Sequence, residues 1–338
     1  MRTTITALLC ALSAAACAPI GESGGNGYDG PDAGVDGSAS TACDDYETRT
    51  LDLTISGAAG FTGLPTSCWR LDGRLTLAGP AVTSLAKLGD LREVRHLVID
   101  DTALTRIDTR SAIEVTGDVT IRNNDELTDI ANVAVDTTAS SITVEYNPQL
   151  TALGGLARAN VISGATRIAN NAKLATLDLG RATRLEGGLV VSDNAALTAL
   201  DLHSLESAGA VTIRHNPALT SLGSLSALQF VHGTFTLDDN DSLVSLASAM
   251  TNGMGTIDLD LVITNNAKLE ELGGLARTKY VGGGFTATGN SALAACEVRE
   301  IDCCVDTGPV YASGNQTSSC NSNGYSWCYQ QYGYCPYM

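Results

Sequence analysis

Asp193, His215 and Asp239 are the residues whose types and spacing could do chemistry. They are 22 and 24 residues apart, the interval of a repeat that runs through the middle of the chain, so they should stack on three successive coils. Carboxylates on both sides of an imidazole would make an acid–base group of the kind that could cleave a glycan. No Ser or Cys nucleophile is paired with it, and His96, His203 and His232 stand outside it. Solvated corner residues account for the same pattern, so the reading is of a protein that is not an enzyme, with a glycan-acting lyase or hydrolase as the alternative.

The repeat that positions these residues has the form apolar-x-apolar-x-x-Asn-x-x-Leu-x-x-Leu or Ile. Clear copies are VTIRNNDELTDI, ITVEYNPQLTAL, TRIANNAKLATL, LVVSDNAALTAL, VTIRHNPALTSL, FTLDDNDSLVSL and LVITNNAKLEEL, and FTATGNSALAAC is a terminal copy. The aligned asparagines are Asn124, Asn147, Asn171, Asn194, Asn216, Asn240, Asn266 and Asn290. Two earlier segments, LTLAGPAVTSL from Leu75 and LVIDDTALTRI from Leu97, keep the apolar places without the Asn, as entry coils do. Each copy opens on a β-branched alternation that favours a strand. Equivalent strands one coil apart must then stack in parallel, with places 1 and 3 inward and place 2 outward. The Asn faces inward at a corner, where its amide satisfies buried backbone groups, so the column forms a structural ladder.

A second apolar stretch passes through Leu153, Leu177, Leu200, Leu222, Leu246 and Leu272, and a third through pairs such as Val161-Ile162, Phe230-Val231 and Tyr280-Val281. Three short sides close a coil without helices. Gly117, Gly164, Gly187, Gly209, Gly233 and Gly283 follow the third side, where a bend is expected to need unusual backbone angles. The fold class is all-β: a right-handed parallel β-solenoid over residues 71 to 300, its hand following the parallel crossover preference.

The strand start resembles the core of a leucine-rich repeat, and the whole coil resembles the receptor L domain and related fungal cell-wall proteins, over roughly residues 50 to 300. An ordinary leucine-rich repeat has a further Leu three places before the strand, where this chain has Thr116, Ala139, Ser163, Glu186, Ala208 and His232. That departure favours an L-domain-like coil over a horseshoe. The resemblance implies extracellular binding or wall association and transfers no binding residue. Some parallel β-helices are polysaccharide lyases and hydrolases, which is what the alternative function rests on.

The outward strand place reads Thr76, Val98, Thr120, Thr143, Arg167, Val190, Thr212, Thr236, Val262 and Thr286. Thr120, Thr143, Thr212 and Thr236 mark it as a candidate binding face for a protein or glycan ligand at the cell surface. The neighbouring column carries Asp100, Arg122, Glu145, Arg214 and Asp238; these charges argue against ice binding and should pair as Arg122 with Glu145 and Arg214 with Asp238.

The ends speak of export. Residues 1 to 16 read as a signal peptide, with Arg2, an apolar run and Ala14-Ala15-Ala16 before Cys17. Cys17 stands where a lipoprotein signal peptidase cuts, which predicts lipid on Cys17 and anchoring at a bacterial envelope; Ala18 in place of Asp points to the outer membrane. Residues 17 to 42 are a Gly-, Asp- and Ser-rich tether. With a formal net charge of −17, nucleic acid is excluded as a partner and the membrane contact is the lipid alone. No cofactor or metal is expected, since no EF-hand loop or paired CxxC motif occurs. Eight further cysteines suit an oxidising compartment. Cys43 and Cys68 are expected to staple an N-terminal cap over residues 43 to 70. Cys296, Cys303, Cys304, Cys320, Cys328 and Cys335 cluster toward a Cys- and Tyr-rich C-terminal module, residues 301 to 338, whose pairing stays open. That module reads as a disulfide-rich cap on the last coil, with an aromatic binding platform as the other reading.

Overall fold

The structure, a computed structural model, describes residues 46–317 apart from Asn252. All of these belong to the second of two units, Cys43–Met338. Cys17, the tether, Cys43, Cys320, Cys328 and Cys335 lie outside the described residues, and with them the expected staple and the C-terminal connectivity.

The chain is mostly β and winds into a parallel β-solenoid of about 12 turns. The first side of the coil is a sheet in which Val119–Arg122, Ile142–Glu145, Thr166–Ala169, Leu189–Ser192, Val211–Arg214, Phe235–Asp238, Leu261–Thr264 and Phe285–Thr288 lie side by side in chain order. The third side is a second sheet of two-residue strands, from Thr138–Ala139 to Asp306–Thr307. Between them the pairing is sparser, Ile113–Val115 with Val133–Val135, Thr176–Asp178 with Ala199–Asp201, and single bridges such as Ser245 to Glu271. Each first-side strand buries its first and third side chains and turns the residue between them outward, as Val119, Thr120 and Ile121 do; the buried pair is apolar except at Thr166. Leu127, Leu150, Leu174, Leu197, Leu219, Leu243, Leu269 and Leu293 add a fully buried column behind the corner, each leucine contributing about 1.5–3 kcal/mol by burial.

The eight asparagines are fully buried, and their amides run as one chain. In the middle of the stack, Asn194 Nδ2 donates to Ile168 O at 3.0 Å, and Asn194 Oδ1 accepts the backbone N–H of Asn171 at 3.1 Å. The Asn194 N–H in turn donates to Asn216 Oδ1 at 3.2 Å. The Asn carbonyl accepts the N–H of the Leu three residues on, as Leu197 does at 3.1 Å, so the Asn-x-x-Leu spacing is a turn. The ladder has two members that the clear copies do not show. Thr102 stands in the Asn place upstream, its Oγ1 donating to Asn124 Oδ1 at 2.7 Å. Asn315 stands there downstream, with Oδ1 accepting the Asn290 N–H at 3.1 Å. The signal for Asn315 was present: VYASGN keeps the apolar-x-apolar-x-x-Asn form.

Parallel pairing also extends beyond residues 71 to 300. Glu47–Arg49 and Leu53–Ile55 pair with Cys68–Ala78, and Val310–Ser313 pairs with Phe285–Thr288. The final coil departs from an all-strand reading, because Ala295–Cys304 is an α-helix that buries Val298, Ile301 and Cys303. At its start Glu297 accepts the Leu272 N–H at 3.0 Å, and burial pushes its carboxyl above the usual range. No helix among the described residues is long and apolar enough to cross a membrane.

The six glycines after the third side serve a different purpose from the one expected. None of them has a positive φ; what they lack is room. A Cβ on Gly164 would lie 2.3 Å from Ser140 O, and one on Gly187 2.2 Å from Gly164 C. At Gly164 and Gly187 the neighbouring coil comes closer than a side chain allows, so the constraint there is spacing between coils rather than backbone angle.

Replacing Asn194 by Leu is expected to leave Ile168 O and the Asn171 N–H unpaired and Asn216 Oδ1 short of a donor. At ~1–3 kcal/mol for each such group, the loss is several kcal/mol. Chemical denaturation of the variant checks this, and an unchanged midpoint would remove the ladder from the account of stability.

Candidate functional site

Asp193, His215 and Asp239 do stack on three successive coils, at the place just before the ladder Asn. The reason for their residue types lies in the backbone. Asp101, Asn123, Tyr146, Asn170, Asp193, His215, Asp239 and Asn265 all have φ between 52° and 59°, and Gly79, Gly289 and Gly314 occupy the equivalent corner at 88°, 72° and 67°. This left-handed conformation brings the corner N–H to the next coil: Asp193 N–H donates to Arg214 O at 3.2 Å and His215 N–H to Asp238 O at 3.0 Å. Gly, Asn and Asp tolerate that region best, and β-branched residues worst. The corner therefore favours Asp, Asn, His and Gly whether or not they react with anything, with Tyr146 the exception.

His215 is held among carboxylates all the same. Its Nδ1 lies 3.3 Å from Asp193 Oδ1 and its Nε2 3.6 Å from Asp239 Oδ2. A fourth member that the sequence reading left out, Asp238, has Oδ2 at 3.9 Å from Nε2. It comes from the adjoining column at the end of the strand, and the expectation that it pairs with Arg214 hid it. Asp238 Oδ1 instead accepts Thr264 Oγ1 at 2.6 Å and Asn265 Nδ2 at 2.9 Å.

The imidazole fills the space between Asp193 and Asp239, where a scissile bond would have to lie. The side chains of Asp193, His215 and Asp239 are 38%, 42% and 47% exposed, so water reaches all three and little excludes it. Cavities occur elsewhere. One of about 450 Å³ lies at the C-terminal end, between Val298, Arg299 and Asp302 of the helix and Val310, Ala312 and Asn315. Another of about 300 Å³ is bounded by Arg106, Asp108, Asp129 and Asn132.

The candidate binding face is continuous. Strand register places Thr76, Val98, Thr120, Thr143, Arg167, Val190, Thr212, Thr236, Val262 and Thr286 in one outward column. The column continues to Thr54 at one end and Tyr311 at the other, a run on the order of 50 Å at ~4.8 Å per strand. The adjoining charges pair differently from expectation. Arg122 turns back to Asp100, with Nε at 3.0 Å and Nη2 at 2.7 Å from Oδ2, and Glu145 pairs with Arg167 at 2.9 Å. The Arg122 guanidinium holds the Asp100 carboxyl below the usual carboxylate range despite its partial burial, and is itself held further in the charged form. Asp100 wins this competition because Asn123 Nδ2 donates to its second oxygen at 2.9 Å, which fixes the carboxylate for two-pronged contact.

Among the described residues there is no group of three or more His, Cys, Asp or Glu side chains arranged to hold a metal ion. No protein family, curated protein or solved structure matches this chain. The roles of these residues therefore rest on their geometry.

If the corner is set by backbone geometry, His215→Gly or His215→Asn should leave the melting temperature unchanged or raised. His215→Val should lower stability by about 1–2 kcal/mol, the cost of a branched side chain in the left-handed region. Thermal melts of the three variants check this; equal destabilisation by Gly and Val would show that the imidazole contacts, not φ, hold the corner.

Proposed function

We propose that this chain is an exported, lipid-anchored surface protein of the bacterial cell envelope, with an L-domain-like coil that binds a protein or glycan ligand through a solenoid face and catalyses no reaction. The observation that carries the reading is the outward column, mostly Thr and Val, which keeps strand register along the whole described solenoid. Such a flat, rigid, β-branched surface suits adhesion. Catalysis instead calls for a concave site that converges on reacting atoms. The signal-like start, the lipid expected on Cys17, the tether of residues 17 to 42 and the outer-membrane placement belong to the same reading. So do a Cys43–Cys68 staple at the entry coil and a cysteine-stapled cap at the exit coil, where an open core would otherwise face water.

One observation favours the alternative of a glycan-acting enzyme: His215 lies within ion-pair distance of three carboxylates. Its exposure, and the imidazole lying where a substrate bond would go, weigh against it.

Lysine at Thr120 and Thr212 should abolish adhesion to the native ligand or cell surface with the melting curve intact. Changing Asp193, His215 and Asp239 together to Asn, Gln and Asn should cost little binding. Polysaccharide cleavage by the unaltered protein that vanishes in this triple variant would replace the binding reading with the enzymatic one.

The anchor has its own test. Cys17→Ser is expected to release the protein from the membrane fraction and to end labelling by palmitate; a variant that stays bound and labelled sinks the assignment.

A further inference from the structure

The narrow sheet on the third side carries a strip that neither the ladder nor the Thr column explains. In strand register its outward place reads Thr138, Val161, Arg184, Ser207, Phe230, Thr256, Tyr280 and Asp306. Two large aromatics thus sit two coils apart with a small residue between them, a separation of ~9.6 Å at ~4.8 Å per strand. Phe230 is 46% exposed and Tyr280 43%, whereas Phe235 and Phe285 are fully buried in the core. Leu259, on the coil between them, is 53% exposed. Beside the rings are polar groups held in place. The His232 ring lies parallel to that of Phe230, with centroids 6.1 Å apart, and its Nδ1 is 3.0 Å from Asp258 Oδ2.

We propose that this strip is a subsite for a neutral, extended oligosaccharide of hexopyranose units, one ring seated on Phe230 and the next but one on Tyr280. The proposal rests on the reading of the chain as a binding module and names a ligand class and a second face for it. A pyranose has an apolar C–H face that packs on an aromatic ring, and a rim of hydroxyls that hydrogen-bond to carboxylate and imidazole groups. In an extended β-1,4-linked chain every second unit presents the same face, and the two-coil step is about the length of two such units. A peptide strand has less to gain here. The strand carrying Phe230 is paired on both edges, with Ser207–Ala208 and Thr256–Ile257, so it offers no backbone edge to a peptide. Asp258 and Asp260 are both exposed and, with a net charge of −17, they repel anionic glycans.

The test is calorimetric titration of the full chain with three hexamers: cellohexaose, neutral and extended; maltohexaose, neutral and coiled; and hexagalacturonate, extended and anionic. Cellohexaose is expected to bind in preference to the other two. The Phe230→Ala, Tyr280→Ala double variant should lose about tenfold or more in affinity with an unchanged melting curve, and Phe230→Tyr should retain binding. No binding of cellohexaose, equal binding of maltohexaose or hexagalacturonate, or unaltered cellohexaose affinity in the double alanine variant would overturn the proposal. Lysine at Thr120 and Thr212 separates the two readings. That variant should still bind cellohexaose; if it loses the sugar while the alanine variant keeps it, the binding module stands and the strip falls.

Discussion

A backbone that turns a corner inside an apolar core must find partners for its N–H and C=O groups, and the rest of this solenoid depends on how that is done. A buried, unpaired amide costs enough to cancel the burial of a leucine, and each coil has such a corner. The Asn side chain carries a donor pair and an acceptor, so one residue can serve its own turn and the turns on either side. The Asn194 side chain donates to a carbonyl on one neighbouring coil, accepts an N–H from the same coil, and donates to the side-chain oxygen of the next Asn. No apolar residue could do this, and Thr102 does part of it only because it begins the row.

The ladder places a second demand on the residue before it. To bring the Asn inward at the end of a strand, the preceding residue must take a left-handed φ, and its N–H then extends the sheet by one more bond. A column of Asp, Asn, His, Tyr and Gly along the rim follows from that demand. Carboxylates stacked on an imidazole look like catalytic machinery when the sequence is read alone, yet the fold would place short polar residues at this corner in the absence of any substrate. The same logic governs the glycines of the third side, where the coils touch backbone to backbone.

Much of this was legible because the repeat is periodic in both apolar pattern and Asn spacing. The inward and outward strand places, the parallel stacking and the alignment of Asp193, His215 and Asp239 all follow from the register of that pattern. What could not be read was whatever the register leaves free. Arg122 has an acid on either side, Asp100 and Glu145, and the choice turns on Asn123, one residue along, fixing the first of them. The six glycines look like bend residues in one dimension; only the distance between coils reveals them as contact points. The helix Ala295–Cys304 breaks the strand pattern within a cysteine-rich stretch, where only the spacing of Val298 and Ile301 marks a helical face.

A solenoid whose stability is carried by an inner ladder and inner columns leaves its outward places under weak constraint from folding. Charge, size and shape can vary there from coil to coil at small cost, as the run from Thr143 to Arg167 to Val190 shows. A surface residue that is costly to expose and does nothing for the coil therefore carries more information than one that satisfies a backbone rule. By that measure the His215 corner, for all its chemistry, is a weaker indicator of function than Phe230 and Tyr280. The corner residues answer to φ, whereas two exposed rings in register on a sheet of otherwise small or charged side chains answer to no demand of the fold.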